Sequence, residues 1–487
     1  MTEIELKFQV PPQARAAVGK AVATASATRV RLQARYFDSA DRLLAQARLA
    51  LRVRREGRRW VQTLKGAGDG IWQRLEDEAP VELARGQLPA ADPALHDGSA
   101  AGAALRQALG DAVLVNTYGS DVRRCLRLLR ARGCTIEVAF DQGHLLADGR
   151  RWPLCELEFE LKAGSPAAMT DVAARWVQRF GLTLDVRSKS ERGDRLARGV
   201  SVGAPVKAQA LVLPAAADGA TALRAIVANC MAQVLGNASE IAHGDSTPEH
   251  LHQVRVGLRR LRTALRELEP LLPAAQPAWQ PALRELFAGL GAARDLDALA
   301  QTLLPALHQA GAPGLQLPAA QAAAPPPQLL RAGTTNILWL ELLACAADES
   351  PAADDAPASK PFVDALRERL KRLHRQVRRD AKRFASIEDE QRHTLRKRIK
   401  RLRYLCDFAQ GLFGDKARRR FVKPLAAAQD ALGHFNDICV AQSLFRRTAA
   451  DDGEAMFALG WLAREREAAI ERCVCALDPL RAARVFW

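Results

Sequence analysis

The feature that most constrains the fold is strict alternation of charged and apolar side chains, repeated along the first 200 residues. Glu3, Glu5 and Lys7 alternate with Ile4, Leu6 and Phe8, and Glu156, Glu158 and Glu160 alternate with Leu157, Phe159 and Leu161. Successive side chains of a β-strand point to opposite faces, so each segment carries one charged and one apolar face. The pattern returns where Arg52 and Arg54 alternate with Leu51 and Val53, and where Lys65 shares a face with Thr63 and Val61. Arg74, Glu76 and Glu78 sit together, as do Glu137 and Asp141. A single strand of this kind would simply turn its charges to water. Six of them allow a closed or nearly closed antiparallel barrel, with the charges lining an interior channel and helices covering the apolar outside.

The mixture of charges says what such a channel would hold. Lys and Arg neutralise phosphate oxygens, and the guanidinium fork suits each phosphate. Carboxylates would repel a phosphate chain unless divalent cations lay between them, and Mg²⁺ and Mn²⁺ bridge carboxylates to phosphates. Bases and acids together therefore describe a metal–triphosphate site. The net charge of +16, shared equally between residues 1–200 and 201–487, suits polyanionic partners, with a generic solubility charge as the equally weighted plain reading.

Strands are expected at 2–9, 48–55, 59–65, 71–83, 121–130, 134–141 and 154–162, with helices near 11–25, 100–109 and 166–180. Residues 201–219, rich in Ala, Pro and Gly, read as a linker. Amphipathic helical stretches follow at 221–242, 248–268, 280–307, 363–384, 388–413, 417–446 and 453–475, interrupted by loop-like inserts at 309–328 and 349–361. The helical half repeats itself. His252, Arg255, Arg259 and Arg262 match His393, Arg396, Lys400 and Arg403 at an offset of 141, and Arg294 and Asp295 echo Asn436 and Asp437 at 142. The expected architecture is α+β: an antiparallel β barrel with covering helices over 1–200, then an all-α region of two related bundles over 220–487. The start of the chain has no secretory pattern, no apolar run reaches the ~18 residues of a membrane span, and nine scattered cysteines suggest reduced thiols. A cytoplasmic protein without membrane attachment is expected.

Glu3, Glu5 and Lys7 also form the ExExK signature of CYTH domains, the triphosphate tunnel enzymes. The resemblance continues through Tyr36, Phe37 and Asp38; Arg52 and Arg54; Thr63 and Lys65; Arg74 and Glu76; Arg123 and Arg124; Glu137 and Asp141; Glu156, Glu158 and Glu160; and Ser188, Lys189 and Ser190. It implies that Lys7, Arg52, Arg54, Lys65, Lys189 and one of Arg123 and Arg124, preferably Arg124, grip a triphosphate. It also implies that Glu3, Glu5, Glu156 and Glu158, joined by Glu76 and Asp141, hold Mg²⁺ or Mn²⁺. Glu5, Lys7, Lys65 and Glu158 would be central to catalysis, with the general base left open among a carboxylate and a lysine of depressed pKa.

In the helical half, His252, Arg255, Arg259, Arg262 and Arg266 recur at three- and four-residue intervals, with Arg260 beside them, and form a basic stripe. His393, Arg396, Lys397, Lys400 and Arg403 repeat it, and Lys371, Arg375, Arg378 and Lys382 add a third row. Like charges at this spacing repel, so a stripe without interspersed acids is destabilising unless anions compensate. A solvated bundle face is the plainer reading. This half resembles the CHAD domain, which implies binding of inorganic polyphosphate along a basic groove, with His252 and His393 as phosphate contacts or satisfied groove histidines rather than metal ligands.

The expected activity is hydrolysis of inorganic triphosphate to pyrophosphate and phosphate. A CYTH-type adenylyl cyclase, a nucleotide or thiamine triphosphatase, and a non-catalytic polyphosphate scaffold are the alternatives. Specific nucleic-acid binding is disfavoured, because aromatics do not interleave with the basic rows. Oligomeric state is not legible.

Overall fold

The computed structural model describes residues 2–68, 73–82, 87, 89–214, 216–271, 276–291, 299–317, 324–347, 361–447 and 452–487. The chain divides into two compact units. The first comprises residues 1–207, 231–254 and 326–349, and the second residues 208–230, 255–325 and 350–487.

The first unit is built on β1 (Thr2–Gln9), β2 (Thr28–Ser39), β3 (Ala50–Glu56), β4 (Arg59–Ala67), β5 (Gln73–Val81), β6 (Leu114–Ala131), β7 (Cys134–Ala147), β8 (Arg150–Ala163) and β9 (Thr183–Leu184). They form one antiparallel sheet in the order β5-β4-β3-β2-β6-β7-β8-β1-β9, and β1 also pairs with β5. That last pairing, Glu3 opposite Arg74 and Thr2 opposite Leu75, closes the sheet on itself. On its other side β1 pairs with β8, Lys7 opposite Glu158 and Glu5 opposite Glu160. β7 and β8 are joined by two residues, Asp148 and Gly149, both at positive φ. Such two-residue turns match the right-handed twist of the strands they join.

Closure sorts the alternating side chains. The apolar alternates Leu6, Phe8, Leu157 and Phe159 are buried on the outside, where Phe159 packs edge-to-face on Phe8 and on Trp176 of α4 (Pro166–Phe180). On another flank, Leu44, Leu49, Leu51 and Leu64 pack with Ala101, Leu105 and Leu109 of α3 (Ala100–Leu109). The charged alternates are left inside.

A further helix, α5 (Lys189–Arg198), closes part of the interior. Its Leu196 packs against Leu32, Val122, Leu145 and Leu154, and with Ala197 against Ala34, Tyr36, Tyr118 and Ala147. Here the inward face of the barrel is apolar, because a helix and not solvent fills it. A Cβ on Gly193 would lie 2.2 Å from the Tyr118 ring, so only glycine allows this approach.

The first unit also takes in residues beyond the barrel. These include the second half of α6 (Gly219–His243), the start of α7 (Pro248–Glu267), and a helix at Gly333–Ala346 whose Asn336 Oδ1 accepts from the Leu184 backbone N–H at 2.8 Å. In the second unit, α8 (Trp279–Gly289), Phe362–Lys382, Asp389–Phe408, Asp415–Phe445 and Gly453–Ala482 are helical. The last four form a bundle in which each packs on the next and the last returns to the first. No helix among the described residues is long and apolar enough to cross a membrane.

The structure departs from the sequence reading in several elements. β2, α5 and the Gly333–Ala346 helix carried no recognised pattern, and β6, β7 and β8 are longer than expected. The expected helix at 280–307 is described as Trp279–Gly289 and Leu304–Ala310. Arg294 and Asp295, half of the second repeat motif, lie outside the described residues, as do 318–323 of the first insert and most of the second. The expected 71–83 strand is described over Gln73–Val81, and the side chain of Arg74 is outside the description.

Gly193→Ala is expected to reverse the usual sign of a helical Gly→Ala change. Propensity favours alanine by ~1 kcal/mol, but overpacking against Tyr118 costs about 1–3 kcal/mol. Urea unfolding should show net destabilisation. Stabilisation would mean that α5 does not pack this closely.

Candidate active site

The barrel encloses a cavity of about 770 Å³ lined by Glu3, Glu5 and Lys7 of β1, Arg52 and Arg54 of β3, Lys65 of β4, Glu76 and Glu78 of β5, Arg124 of β6, Glu137 and Asp141 of β7, Glu158, Glu160 and Lys162 of β8, and Lys189 of α5. With Asp77, nine carboxylates and seven bases line it among the described residues. Several lie a few ångströms apart in the interior of a protein, where an unpaired charge is strongly destabilising. The side chains answer by pairing with one another.

Two knots result. In the first, Lys65 Nζ lies 3.1 Å from Glu3 and 2.9 Å from Glu76. Burial and the Glu76 hydrogen bond push Glu3 up to about 8, although Lys65 opposes them. Against its own burial, Glu76 is pulled down to about 2 by the Glu3 hydrogen bond and by Lys65, so the two carboxyls share one proton. In the second, Lys189 Nζ reaches Asp141 at 2.9 Å, Glu156 at 3.0 Å and also Glu158, while Arg124 is bidentate to Asp141 at 2.7 Å and contacts Glu158. Against burial, Lys189 and Arg124 hold Glu158 well below the ordinary range, and the same carboxylates hold both bases above theirs.

Two groups stand apart. Glu5 lines the cavity, and among the described residues it makes no ion pair with a base. Burial and the neighbouring Arg52 push the Arg54 guanidinium below its ordinary value, despite Glu56. Arg54 nevertheless pairs with Glu56 and lies 3.9 Å from Glu78, and Glu5 reaches Arg124 only through its field.

The structure corrects two expectations here. Arg123 is exposed on the outer face, so Arg124 alone of that pair reaches the cavity. Glu156 is wholly buried beneath the lining, bound by Arg192, by Lys189 and by Gln9 at 3.0 Å. Sequence reasoning assigned no role to Tyr36, Gln9, Asp185, Arg187 or Arg192. Tyr36 lines the cavity, stacks on Tyr118 at 4.5 Å and supports the charge on Arg52. Arg187 accepts the Lys7 ammonium through its backbone carbonyl.

The donor set suits a hard divalent cation, since carboxylate oxygens abound and such ions complete their shell with water and phosphate. No group of three or more His, Cys, Asp or Glu side chains is gathered at ligand spacing among the described residues. One or two carboxylates with substrate oxygens would have to serve.

In the second unit, the repeated helices α7 and Asp389–Phe408 are joined where Arg259 Nε lies 3.3 Å from the Tyr404 hydroxyl and Arg401 pairs with Glu267 at 2.7 Å. This brings the repeated bases together. Burial, Arg396, Arg259 and Arg255 push Lys400 down to about 7, although Asp437 opposes them. Arg255, Arg259 and Arg262 ring Phe287 at 4.7–5.7 Å. Arg255 is buried and donates to the Leu290 carbonyl at 2.8 Å. Arg260, expected beside the stripe, is also buried, donating to Asn229 at 2.7 Å under Phe408. Arg403 approaches Asp407 at 3.9 Å. Lys371, Arg375, Arg378 and Lys382 are exposed, as are Lys397 and His393, the latter 3.2 Å from Asn436. His252 is half-buried in the first unit.

Comparison with known proteins follows this division. The CYTH domain model matches residues 1–193 and the CHAD domain model residues 225–446. An inorganic triphosphatase of Haemophilus influenzae is 28% identical over 199 residues, 40% of this chain and 54% of that protein. The chain thus spans about half the length of that curated relative. Among solved structures, the CHAD domain of the plant Ricinus communis is 31% identical and covers 58% of this chain and 99% of its own (TM-score 0.47). A Hippeastrum protein, described as a candidate adenylyl cyclase with dominant triphosphatase activity, is 17% identical over 41% of this chain and 96% of its own (TM-score 0.29).

The buried Glu156 gives a pH test. Against burial, Arg192, Lys189 and Lys7 pull it from an ordinary 4.5 down to about 2. A depressed carboxylate adds stability above its unfolded pKa and loses it as pH falls through the folded one. Wild-type protein should therefore lose on the order of 3 kcal/mol between pH 4.5 and 2 from this group. Glu156→Gln should be less stable at pH 7, with a shallower acid slope in denaturant unfolding. An unchanged slope would contradict the assignment.

Proposed function

We propose, from the premise that this chain joins a CYTH domain to a CHAD domain, that the barrel hydrolyses inorganic triphosphate to pyrophosphate and phosphate with Mg²⁺ or Mn²⁺, while the helical region binds inorganic polyphosphate. The observation that carries the reading is the near balance of nine carboxylates and seven bases in one cavity. A phosphate chain brings several negative charges, so a cavity already slightly acidic takes it only together with cations. A purely basic channel would need none.

Lys7, Arg52, Arg54, Lys65, Arg124 and Lys189 supply the grip on the phosphate oxygens. Arg54, crowded by Arg52 and held below its ordinary value despite Glu56, gains from an anion. As Lys189 and Arg124 turn to phosphate, Asp141 and Glu158 lose their partners, and Lys65 in turn releases Glu3 and Glu76. Glu3 and Glu5, with Glu76, form the first carboxylate set for a cation, and the freed Asp141 and Glu158 form a second. The ion would offset charge developing on the leaving phosphate and acidify water. The chain's own bases hold the phosphates for in-line displacement.

A nucleotide or thiamine triphosphatase, or a cyclase, would share this grip and would also need a surface for the organic group. Tyr36 is the aromatic side chain among the described lining residues, and its face is covered by Tyr118. That favours the inorganic substrate, as does the identity to an inorganic triphosphatase. A non-catalytic scaffold has no use for Glu5, a lining carboxylate without an ion pair among the described residues. In the helical region, the crowding of Arg255, Arg259 and Arg396 around Lys400 is relieved by an anion, and a polyphosphate chain is long enough to meet Arg259, Arg396 and Lys400. Nine cysteines present as thiols rather than disulfides accord with a cytoplasmic location.

Purified protein is expected to release phosphate from tripolyphosphate with Mg²⁺ or Mn²⁺, far faster than from ATP, and to form no cyclic AMP. Glu5→Gln should lower kcat at least ~100-fold, about 3 kcal/mol of transition-state stabilisation. Arg259→Ala with Lys400→Ala should lose long-chain polyphosphate binding and keep triphosphatase activity. Faster ATP turnover, or full activity in Glu5→Gln, would overturn the reading.

A further inference from the structure

We infer that Glu240 of α6, a residue beyond the barrel sequence, is a positioning residue for the cavity's Lys7 and Lys189. The inference rests on reading the cavity as a triphosphate site. Glu240 lies within the stretch matched by the CHAD domain model, yet residues 231–254 belong to the first compact unit with the barrel.

Its carboxylate is 2% exposed and divided between two guanidiniums. Oε1 accepts from Arg195 Nη1 at 2.7 Å, and Oε2 lies 3.5 Å from Arg187 Nη1. Arg187 precedes and Arg195 follows Lys189, the base that α5 projects into the cavity, so one carboxylate holds that segment from both sides. Each branch continues to a lining residue. The Arg187 carbonyl receives the Lys7 ammonium. The Arg187 guanidinium is bidentate to Asp185 at 3.0 Å, and Asp185 accepts from Gln9, which also donates to Glu156 beneath Lys189. On the other branch, Arg195 belongs to the helix that begins at Lys189 and carries Arg192, the partner of Glu156.

Two neighbours on α6 strengthen the join. Ser239 Oγ accepts from the Val186 backbone N–H at 3.2 Å, and His243 Nε2 stands 3.7 Å from Asp185. Glu240 does not itself line the cavity. Its influence passes through Arg187 and Arg195, both about as buried as Glu240 itself. Without its charge, the acids left paired with them among the described residues would be the half-exposed Glu191 for Arg195 and Asp185 for Arg187. The geometry at the end of the barrel is thus completed by a helix of the following sequence, and residues 1–207 alone lack a piece of their own site.

The test compares full-length wild type, Glu240→Gln and Glu240→Asp in tripolyphosphate hydrolysis with Mg²⁺. Folding is followed by circular dichroism and thermal melting. Folded Glu240→Gln should raise the tripolyphosphate KM and lower kcat/KM by roughly 10–100-fold. The Mg²⁺ concentration for half-maximal rate should not move, and Glu240→Asp should recover part of the loss. A purely structural residue would lower the melting temperature without splitting the two ligands. If Glu240→Gln does not fold, Glu240→Asp decides, with an intermediate KM expected. Wild-type kcat and KM in whichever variant folds would overturn the inference and leave the triphosphatase reading standing. A wild type that neither hydrolyses nor, by calorimetry, binds tripolyphosphate would overturn both.

Discussion

Charge compensation inside a closed barrel governs the rest of the structure. Closing the sheet through β1 and β5 turns the charged side chains of seven strands inward, where water cannot screen them as it would outside. Every base there must find an acid, and the structure meets this with two knots, Lys65 between Glu3 and Glu76, and Lys189 with Arg124 among Asp141, Glu156 and Glu158. These pairs hold the barrel interior together, and they are also the groups a phosphate chain and its cations would claim. On the proposed reading, binding would exchange internal partners for external ones.

Much of this was legible in the sequence because the barrel wall obeys a period of two. Glu3, Glu5 and Lys7, or Glu156 to Glu160, could face one way only if they were strands. Their mixed signs already implied both a polyanion and cations. The parts that escaped notice break that rule for a physical reason. Along β2 the inward residues Leu32, Ala34 and Tyr36 are apolar because α5 packs into the barrel there, inverting the pattern that marked the other strands. α5 itself has no apolar stripe, since Arg192 and Arg195 are buried through ion pairs. Its signal lay in its caps: Ser188 accepts from the Glu191 N–H, and Gly199 ends the helix in the left-handed region. Strand phase could not separate Arg123 from Arg124, because Cys125 and Leu126 give no alternation. Glu156 shared the parity of its neighbours, and only depth along the barrel shows that it lies below the lining.

The helical half shows the same logic in a weaker form. Repetition revealed two basic helices, and the fold joins them through Arg259 with Tyr404 and Arg401 with Glu267. Buried Arg255 and Arg260 serve the helix packing as well as the surface charge, a division that spacing alone does not reveal. The role of α6 was equally hidden. A buried Glu240 reads in sequence as one more helix residue, and its meaning depends on Arg187 and Arg195, some 50 residues earlier in the chain.

The most direct measurement is a calorimetric titration of tripolyphosphate into the full-length protein, metal-free and then with Ca²⁺ in place of a catalytic cation to limit turnover. If the tunnel's own acids and bases nearly cancel, the cation should tighten binding at least tenfold. Equal or tighter binding in chelator would mean that the bases alone receive the anion, and that the carboxylates have no part in holding it.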